Sequence, residues 1–324
     1  MVVDVVADAS NESVRTLVVS RKQALTADVT LLDLRDPEGA ALPAWEPGAH
    51  VDLVLPDDMV RQYSLCSDPG DAHVWQVGVL REPAGRGGSI HIHDVLAEGD
   101  TLEVRGPRNN FPLEPAESYL FIGGGIGITP LIPMIDAAIS QGTPWELVYG
   151  GRSRDTMCFV DQLESYGDQV AIRPQDVHGL LDLPGMLGEA RVGTAVYCCG
   201  PEPLLQAVEA ACASWPAGAL HLERFSAKEL EEPVRSDSFE IELTVSDVVL
   251  TVPPDRSIMQ VMEDNGIPVV ASCMEGTCGS CETVVLGGTP DHRDSILSPA
   301  EQEASETMMV CVSRSVSPRL TLEI

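Results

Sequence analysis

The chain has 324 residues, 44% of them hydrophobic and 22% charged, enough for two or three packed domains and too apolar for a disordered protein. Fifty acidic residues against 20 basic ones give a net charge of -30, which excludes the Lys/Arg-rich surface that nucleic acid demands. That balance favours a basic or locally complementary partner, although a generally acidic proteome gives the same number. No run of about 18 apolar residues is present, so no membrane span is expected. The start, MVVDVVADAS, lacks the basic opening and long apolar stretch of a signal peptide, which makes the cytoplasm the expected location. Nine cysteines, an odd number, do not read as a disulfide framework.

Residues 14–105 read as short alternating strands, among them TADVTLLDLRD, HVDLVLP and RQYSLCS, separated by PEG, EPG and PDD turns. That texture predicts an antiparallel barrel or sandwich, with one helix at Ser89–Leu96. From Ser118 the pattern becomes strand, glycine turn and helix: SYLFIGGGIGITP, then a helix to about Ser140, WELVYGGRS, VAIRPQD, GTAVYCCGP and the helix PEPLLQAVEAACASW before HLERF. Strands alternating with helices predict βαβ units and a parallel sheet. Residues 227–237, charged and carrying a proline, read as a linker. The last module opens with FEIELTVSDVVLTVPP as a hairpin, continues with RSIMQVMEDNGIPV as an amphipathic helix, and closes on LTLEI as a strand. The expected domains are 1–112, 113–226 and 238–324.

Cys273, Cys278 and Cys281 are spaced C-x4-C-x2-C, and Cys311 follows after 29 intervening residues. This is the plant-type [2Fe–2S] spacing: one tight loop offers three thiolates and a distant segment closes the other side. Gly276, Gly279 and Ser280 are small enough for backbone N–H groups to point at the sulfurs. A zinc site would favour paired CxxC or Cys/His spacings, and only one CxxC occurs. With SCMEGTCGSC and MMVCVSRS, residues 238–324 resemble plant-type ferredoxin, which implies an α+β, β-grasp fold.

Gly123, Gly124, Gly125 and Gly127, followed by Thr129, sit between a predicted strand and a helix, where glycines let a pyrophosphate approach the backbone. Cys199, Gly200 and Pro201 end another strand at the same kind of edge. Together GGGIGITP, YGGRSR and YCCGP resemble the NAD(P) domain of the ferredoxin–NADP reductase superfamily. The resemblance implies that Thr129 and Cys199 lie near the nicotinamide and Arg152 and Ser153 near the adenosine. Arg152 with Arg154 would suit a 2′-phosphate and thus NADPH; Asp176 would suit a free ribose hydroxyl and thus NADH. Family resemblance favours NADH.

Arg61-Gln62-Tyr63-Ser64 resembles the RxYS flavin signature of that superfamily, implying Arg61 on the phosphate and Tyr63 and Ser64 on the isoalloxazine. Arg86, Gly87, Gly88 and Ser89 precede the predicted helix and read as a phosphate cradle, with Ser89 also able to cap that helix. The string REPAGRGGSIHIHD, with GPRNNFPL after it, resembles the phthalate dioxygenase reductase and vanillate demethylase reductase family, in which the flavin is FMN. That resemblance spans nearly the whole chain and implies that Phe225 lies against the flavin ring. His91, His93 and His292 read as structural or surface residues, and Cys66, Cys158, Cys198 and Cys212 as buried apolar ones.

The family implies an enzyme that takes a hydride from NADH onto FMN and passes single electrons through the cluster, Ser64, Thr129 and Cys199 lying nearest the chemistry. It also implies a separate Rieske-type oxygenase, acting on an aromatic acid or similar small molecule, as partner, and a monomeric reductase. A cytochrome P450 client, a stand-alone reductase, or a redox sensor without turnover are the alternatives.

Overall fold

The computed structural model describes residues 14–57, 59–226 and 233–324. The chain forms two compact units divided between Leu222 and Glu223. Part of the expected linker, residues 227–232, lies outside the described residues. Among the described residues no helix is long and apolar enough to cross a membrane.

The first unit begins with β1 (Val14–Ala24), β2 (Val29–Arg35), β3 (His50–Leu55), β4 (Met59–Ser64), β5 (Trp75–Leu80), helix α1 (Gly88–Asp94) and β6 (Thr101–Arg108). The strands pair antiparallel in the order β4-β3-β6-β1-β2-β5. A bridge between Leu65 and Val77 ties the end of β4 back to β5, so the sheet nearly closes on itself. Period-two alternation explains the closure: Val51, Leu53 and Leu55 turn inward to meet Leu17, Leu32, Leu34, Val77 and Val104. Each such side chain stabilises the fold by about 1.5–3 kcal/mol on burial. The other face of β3 is buried as well, and there Asp52 pairs with Arg108 at 2.8 Å.

A parallel sheet completes this unit: β7 (Ser118–Gly124), α2 (Leu131–Gln141), β8 (Trp145–Gly151), α3 (Val160–Glu164), β9 (Val170–Pro174), α4 (Gln175–His178), α5 (Leu183–Leu187), β10 (Thr194–Cys199), α6 (Glu202–Ala211) and β11 (Leu220–Glu223). The order is β11-β10-β7-β8-β9, with β10, β7, β8 and β9 parallel. Strand β7 feeds both faces. Tyr119 and Phe121 join a core with α2, while Leu120 and Ile122 join one with α5 and α6. Such a two-sided apolar run is what a covered parallel strand requires. Helices α3, α4 and α5 are four or five residues long, too short to leave a periodic signal, and sequence reading missed them.

The second unit holds β12 (Phe239–Leu243), β13 (Val248–Val252), α7 (Ile258–Asp264), β14 (Glu282–Gly287), β15 (Pro290–Asp291), α8 (Pro299–Ala304), β16 (Thr307–Met309), β17 (Arg314–Ser315) and β18 (Arg319–Leu322). The expected hairpin is β12–β13, and the closing strand β18 inserts beside β12 in parallel to give the order β13-β12-β18-β14-β16. Helix α7 starts in a capping box of Ser257 and Gln260 and packs Ile258, Met259 and Met262 against the sheet. This is the ferredoxin-like fold.

Candidate cofactor sites

Arg61, Gln62, Tyr63 and Ser64 all lie on β4, where the barrel is joined by the 86–89 loop. The missing side chain of Gly88 lets Arg61 lie on the start of α1: a Cβ there would stand 2.7 Å from Arg61 Cγ. Arg61 Nη2 donates to the Arg86 carbonyl at 3.2 Å and Nη1 to the Val60 carbonyl at 2.7 Å. Gly87 takes φ +89, a conformation glycine adopts without strain, and turns the chain into the helix. Ser89 departs from its expected capping role. The N-cap position is Gly87, and Ser89 Oγ instead accepts the Glu82 N–H at 2.9 Å. Burial drives the Tyr63 phenol well above its ordinary pKa, with the Arg61 charge opposing, so the ring stays neutral. Gln62 sits opposite Asp52 and Ser64 opposite His50 in the β3–β4 register.

Ser64 is 4% exposed, and its hydroxyl has no partner among the described residues. An orphaned buried hydroxyl costs about 1–3 kcal/mol unless a ligand satisfies it. A guanidinium, a flat aromatic and an orphan hydroxyl on one strand, beside the glycines at the start of α1, fit a flavin mononucleotide.

The expected nucleotide residues gather at the carboxyl ends of the parallel strands. Gly123 and Gly124 end β7, while Gly125 and Gly127 form a 3-10 turn over Gly125–Ile128, the glycine turn expected between strand and helix. Arg152 and Ser153 follow β8, Asp176 lies on α4 after β9, and Cys199 ends β10 ahead of Gly200 and Pro201. Strand β7 leads to β8 on one side and pairs with β10 on the other, so the crevice between the β7 and β10 ends is the topological switch point. There the loops meet glycine to glycine. A Cβ on Gly127 would stand 2.6 Å from Gly200 N and closer still to the Cys199 carbonyl, and one on Gly200 would stand 3.0 Å from Gly124 Cα. Tyr149, which sequence reading did not single out, donates from its hydroxyl to the Gly125 carbonyl at 3.0 Å and fixes the turn.

Thr129 is buried, donates to the Ile126 carbonyl at 2.9 Å, and faces the barrel: a Cβ on Gly78 of β5 would stand 2.9 Å from Thr129 Cγ2. The nucleotide loop and the flavin barrel therefore abut. The Asp176 N–H donates to the Arg152 carbonyl at 3.1 Å, joining two of the expected adenosine-side residues. Arg154 is bound in bidentate fashion by Glu164, at 2.6 and 2.7 Å. That occupies one of the two guanidiniums a 2′-phosphate would need and agrees with NADH. Phe225 belongs to the second unit and is 45% exposed.

In that unit Cys273, Cys278, Cys281 and Cys311 are all buried. Hydrogen bonds from the Cys278 and Cys311 thiols pull Cys273 well below its ordinary range, and one from Cys311 pulls Cys281 down; the donors shift up in turn. Among the described residues no three His, Cys, Asp or Glu side chains form a site for a single metal ion. The four thiols instead form one hydrogen-bonded chain, Cys278 to Cys273 to Cys311 to Cys281, and would together supply the ligands of a cluster. The Glu275 and Thr277 N–H groups both donate to Cys273 Sγ at 3.3 Å, and Ser280 Oγ lies 3.0 Å from Cys278 Sγ. Sulfur atoms that already receive N–H donors fit a cluster whose sulfurs carry negative charge. The other five cysteines are also buried, and burial alone pushes the Cys212 thiol up to about 11. Cys66, Cys158, Cys198 and Cys212 pack in the cores, while Cys199 ends β10 at the nucleotide crevice.

A nicotinamide crevice abutting a flavin barrel, in a chain that also gathers four thiols, has one chemistry in common: the protein is a pyridine-nucleotide-dependent flavin and iron–sulfur oxidoreductase. A model of the 2Fe-2S iron-sulfur cluster binding domain matches residues 241–316. The chain is 43% identical over 299 residues to phenoxybenzoate dioxygenase subunit beta of Ectopseudomonas oleovorans, covering 92% of this chain and 93% of that one. The solved structure of phthalate dioxygenase reductase superposes with a TM-score of 0.70 at 35% identity, over 96% of this chain and 98% of that one. An intact type IV self-sufficient cytochrome P450 monooxygenase superposes with a TM-score of 0.91 at 43% identity, over 96% of this chain. The chain spans only 41% of that P450's length. It belongs to the family of phthalate dioxygenase reductase and vanillate O-demethylase oxidoreductase. Its cofactors are FMN and a [2Fe–2S] cluster, and it passes electrons from NADH through them as an oxygenase reductase component.

Proposed function

We propose that this reductase delivers its electrons to a separate Rieske-type oxygenase acting on an aromatic acid or similar small molecule, and that it is a cytoplasmic monomer. The observation that carries the flavin assignment is the alignment on β4 of Arg61, lying on Gly88, with the orphan hydroxyl of Ser64. Arg61 and the amides of 86–89 hold the FMN phosphate, Tyr63 flanks the ring, and Ser64 gives the ring a hydrogen bond that the protein does not otherwise use. Gln62 lines the same strand. Bound FMN exchanges two electrons with a nicotinamide and one at a time with an iron–sulfur centre.

Gly123, Gly124, Gly125, Gly127, Gly200 and Pro201 bring backbone close to the dinucleotide pyrophosphate. Arg152, Ser153 and Asp176 orient its adenosine, with Asp176 accepting from the ribose. Thr129 and Cys199 wall the nicotinamide against the barrel and exclude water. The family resemblance assigns Phe225 to the flavin. Cys273, Cys278, Cys281 and Cys311 ligate the cluster. The domains divide as 1–112, 113–226 and 238–324.

The dioxygenase subunit, matched over 93% of its length, supports a separate oxygenase partner. A second reading, a P450 as client, is favoured by the TM-score of 0.91 with the self-sufficient P450. The test supplies the NADH-reduced protein to a purified Rieske-type oxygenase and to a purified class-matched P450, following oxygen uptake and product. Turnover with the Rieske-type enzyme alone supports the first reading. Turnover with the P450 alone replaces it.

A further inference from the structure

The cluster unit contains a buried carboxylate that no step above uses. The Asp294 side chain has no exposed surface. Its Oδ2 accepts the N–H groups of Ile296 at 3.1 Å and Leu297 at 2.8 Å, a closed Asx turn. Oδ1 has no hydrogen-bond partner among the described residues. His292 Nδ1 stands 3.9 Å away, beyond hydrogen-bond reach, and burial lowers the pKa of that imidazole. A buried carboxylate so poorly compensated is costly, and its position gives a reason to keep it.

Asp294 backs directly onto the cysteine loop. Gly276 takes φ +69, and a Cβ there would stand 3.1 Å from Asp294 Cα and 3.2 Å from Asp294 Cβ. The next residue, Ser295, donates its N–H to the Gly276 carbonyl at 2.9 Å. Gly276 is flanked by Glu275 and Thr277, the two residues whose N–H groups donate to Cys273 Sγ. The Asx turn therefore grips the middle of the segment that supplies hydrogen bonds to a cluster sulfur. It also sets a buried carboxylate behind that segment.

We propose that Asp294 is a positioning residue for the iron–sulfur centre. It holds Gly276 in the turn that aims two N–H groups at Cys273, and its buried charge lowers the reduction potential of the cluster. A fixed negative charge opposes the arrival of an electron, and burial leaves little water to screen it. A lower potential makes the reduced cluster a stronger donor to the oxygenase. The proposal rests on the quartet being the cluster ligands.

Asp294→Asn keeps an oxygen to accept from Ile296 and Leu297 and removes the charge. In the purified holoprotein it is expected to retain the cluster's absorption and its electron paramagnetic resonance signal. Its midpoint should rise by about a tenfold change in the one-electron equilibrium, about 59 mV. A neutral variant that carries the cluster at the wild-type potential overturns the proposal. If Asp294→Asn does not keep its cluster, Asp294→Ser, which leaves a hydroxyl acceptor for the turn, takes the same measurement. Loss of the cluster from both reduces Asp294 to a folding role and also overturns it. A wild-type protein with no iron–sulfur absorption overturns the ligand reading itself, a result distinct from an unchanged potential.

Discussion

Gly127→Ala is the sharpest perturbation of the nucleotide crevice. The added methyl would stand 2.6 Å from Gly200 N, against 3.4 Å for an ordinary contact, so the two loops must part by about 0.8 Å (3.4 − 2.6) or more. They cannot rotate away cheaply, because the obstructing atoms are backbone and the strands behind them are locked in register, Cys199 opposite Gly123. Overpacking of this kind costs about 1–3 kcal/mol. If that strain falls on the crevice, NADH and ADP binding weaken by roughly 5- to 150-fold. The assay is calorimetric titration of the holoprotein with ADP, alongside the NADH dependence of flavin bleaching. Flavin and iron–sulfur absorption should be unchanged, since the atoms an added methyl meets first belong to Cys199 and Gly200. A folded variant that binds ADP and NADH as tightly as wild type would refute the reasoning and move the nucleotide elsewhere.

Ser64→Ala removes a buried hydroxyl that the protein leaves unpaired, so the flavin-free protein should melt no lower than wild type. Flavin reduction by NADH in the holoprotein should slow by about fivefold, the worth of one hydrogen bond; a drop in melting temperature with unchanged reduction would reverse the assignment. Glu164→Gln releases Arg154 from its bidentate partner and should improve binding of 2′,5′-ADP relative to 5′-AMP severalfold, an exposed pair being worth at most about 1 kcal/mol. No change in that ratio would separate Arg154 from the adenosine site. His221 stacks on Tyr197 at 4.4 Å, and burial lowers its pKa, partly offset by Glu114. Its folded pKa lies below the unfolded value of about 6.5, so the unfolded chain takes up the proton first. The stability contributed by neutral His221 is present above that value and is lost as the pH falls through it. His221→Phe, which keeps the stack, should flatten denaturant midpoints between about pH 7.5 and 5.5; an unchanged pH slope would exclude His221 as the source.

What sequence reading recovered is local or rigidly spaced. Four cysteines at fixed intervals can close around only a few metal centres, and the alternation of FEIELTVSDVVLTV admits little but the β12–β13 hairpin. The two-sided apolar run of SYLFI likewise announced a covered parallel strand. What it missed depends on partners distant in the chain. Ser89 is the kind of residue that caps a helix, yet Glu82 engages its hydroxyl. Arg154 resembled a phosphate ligand until Glu164 came within reach. Gly78 is unremarkable in WQVGVL, but Thr129 approaches it across the barrel wall. Asp294 sits in a polar stretch, DHRDS, that reads as loop, and only the fold carries it behind the cysteine loop.

The most direct measurement is an anaerobic titration of the purified protein with NADH, followed in the visible range. FMN takes two electrons and the cluster one, so bleaching of both chromophores should end at about one and a half NADH per chain. Bleaching that stops at about one NADH with the iron–sulfur absorption intact would contradict the account, because the cluster would then lie outside the path that begins at the nicotinamide.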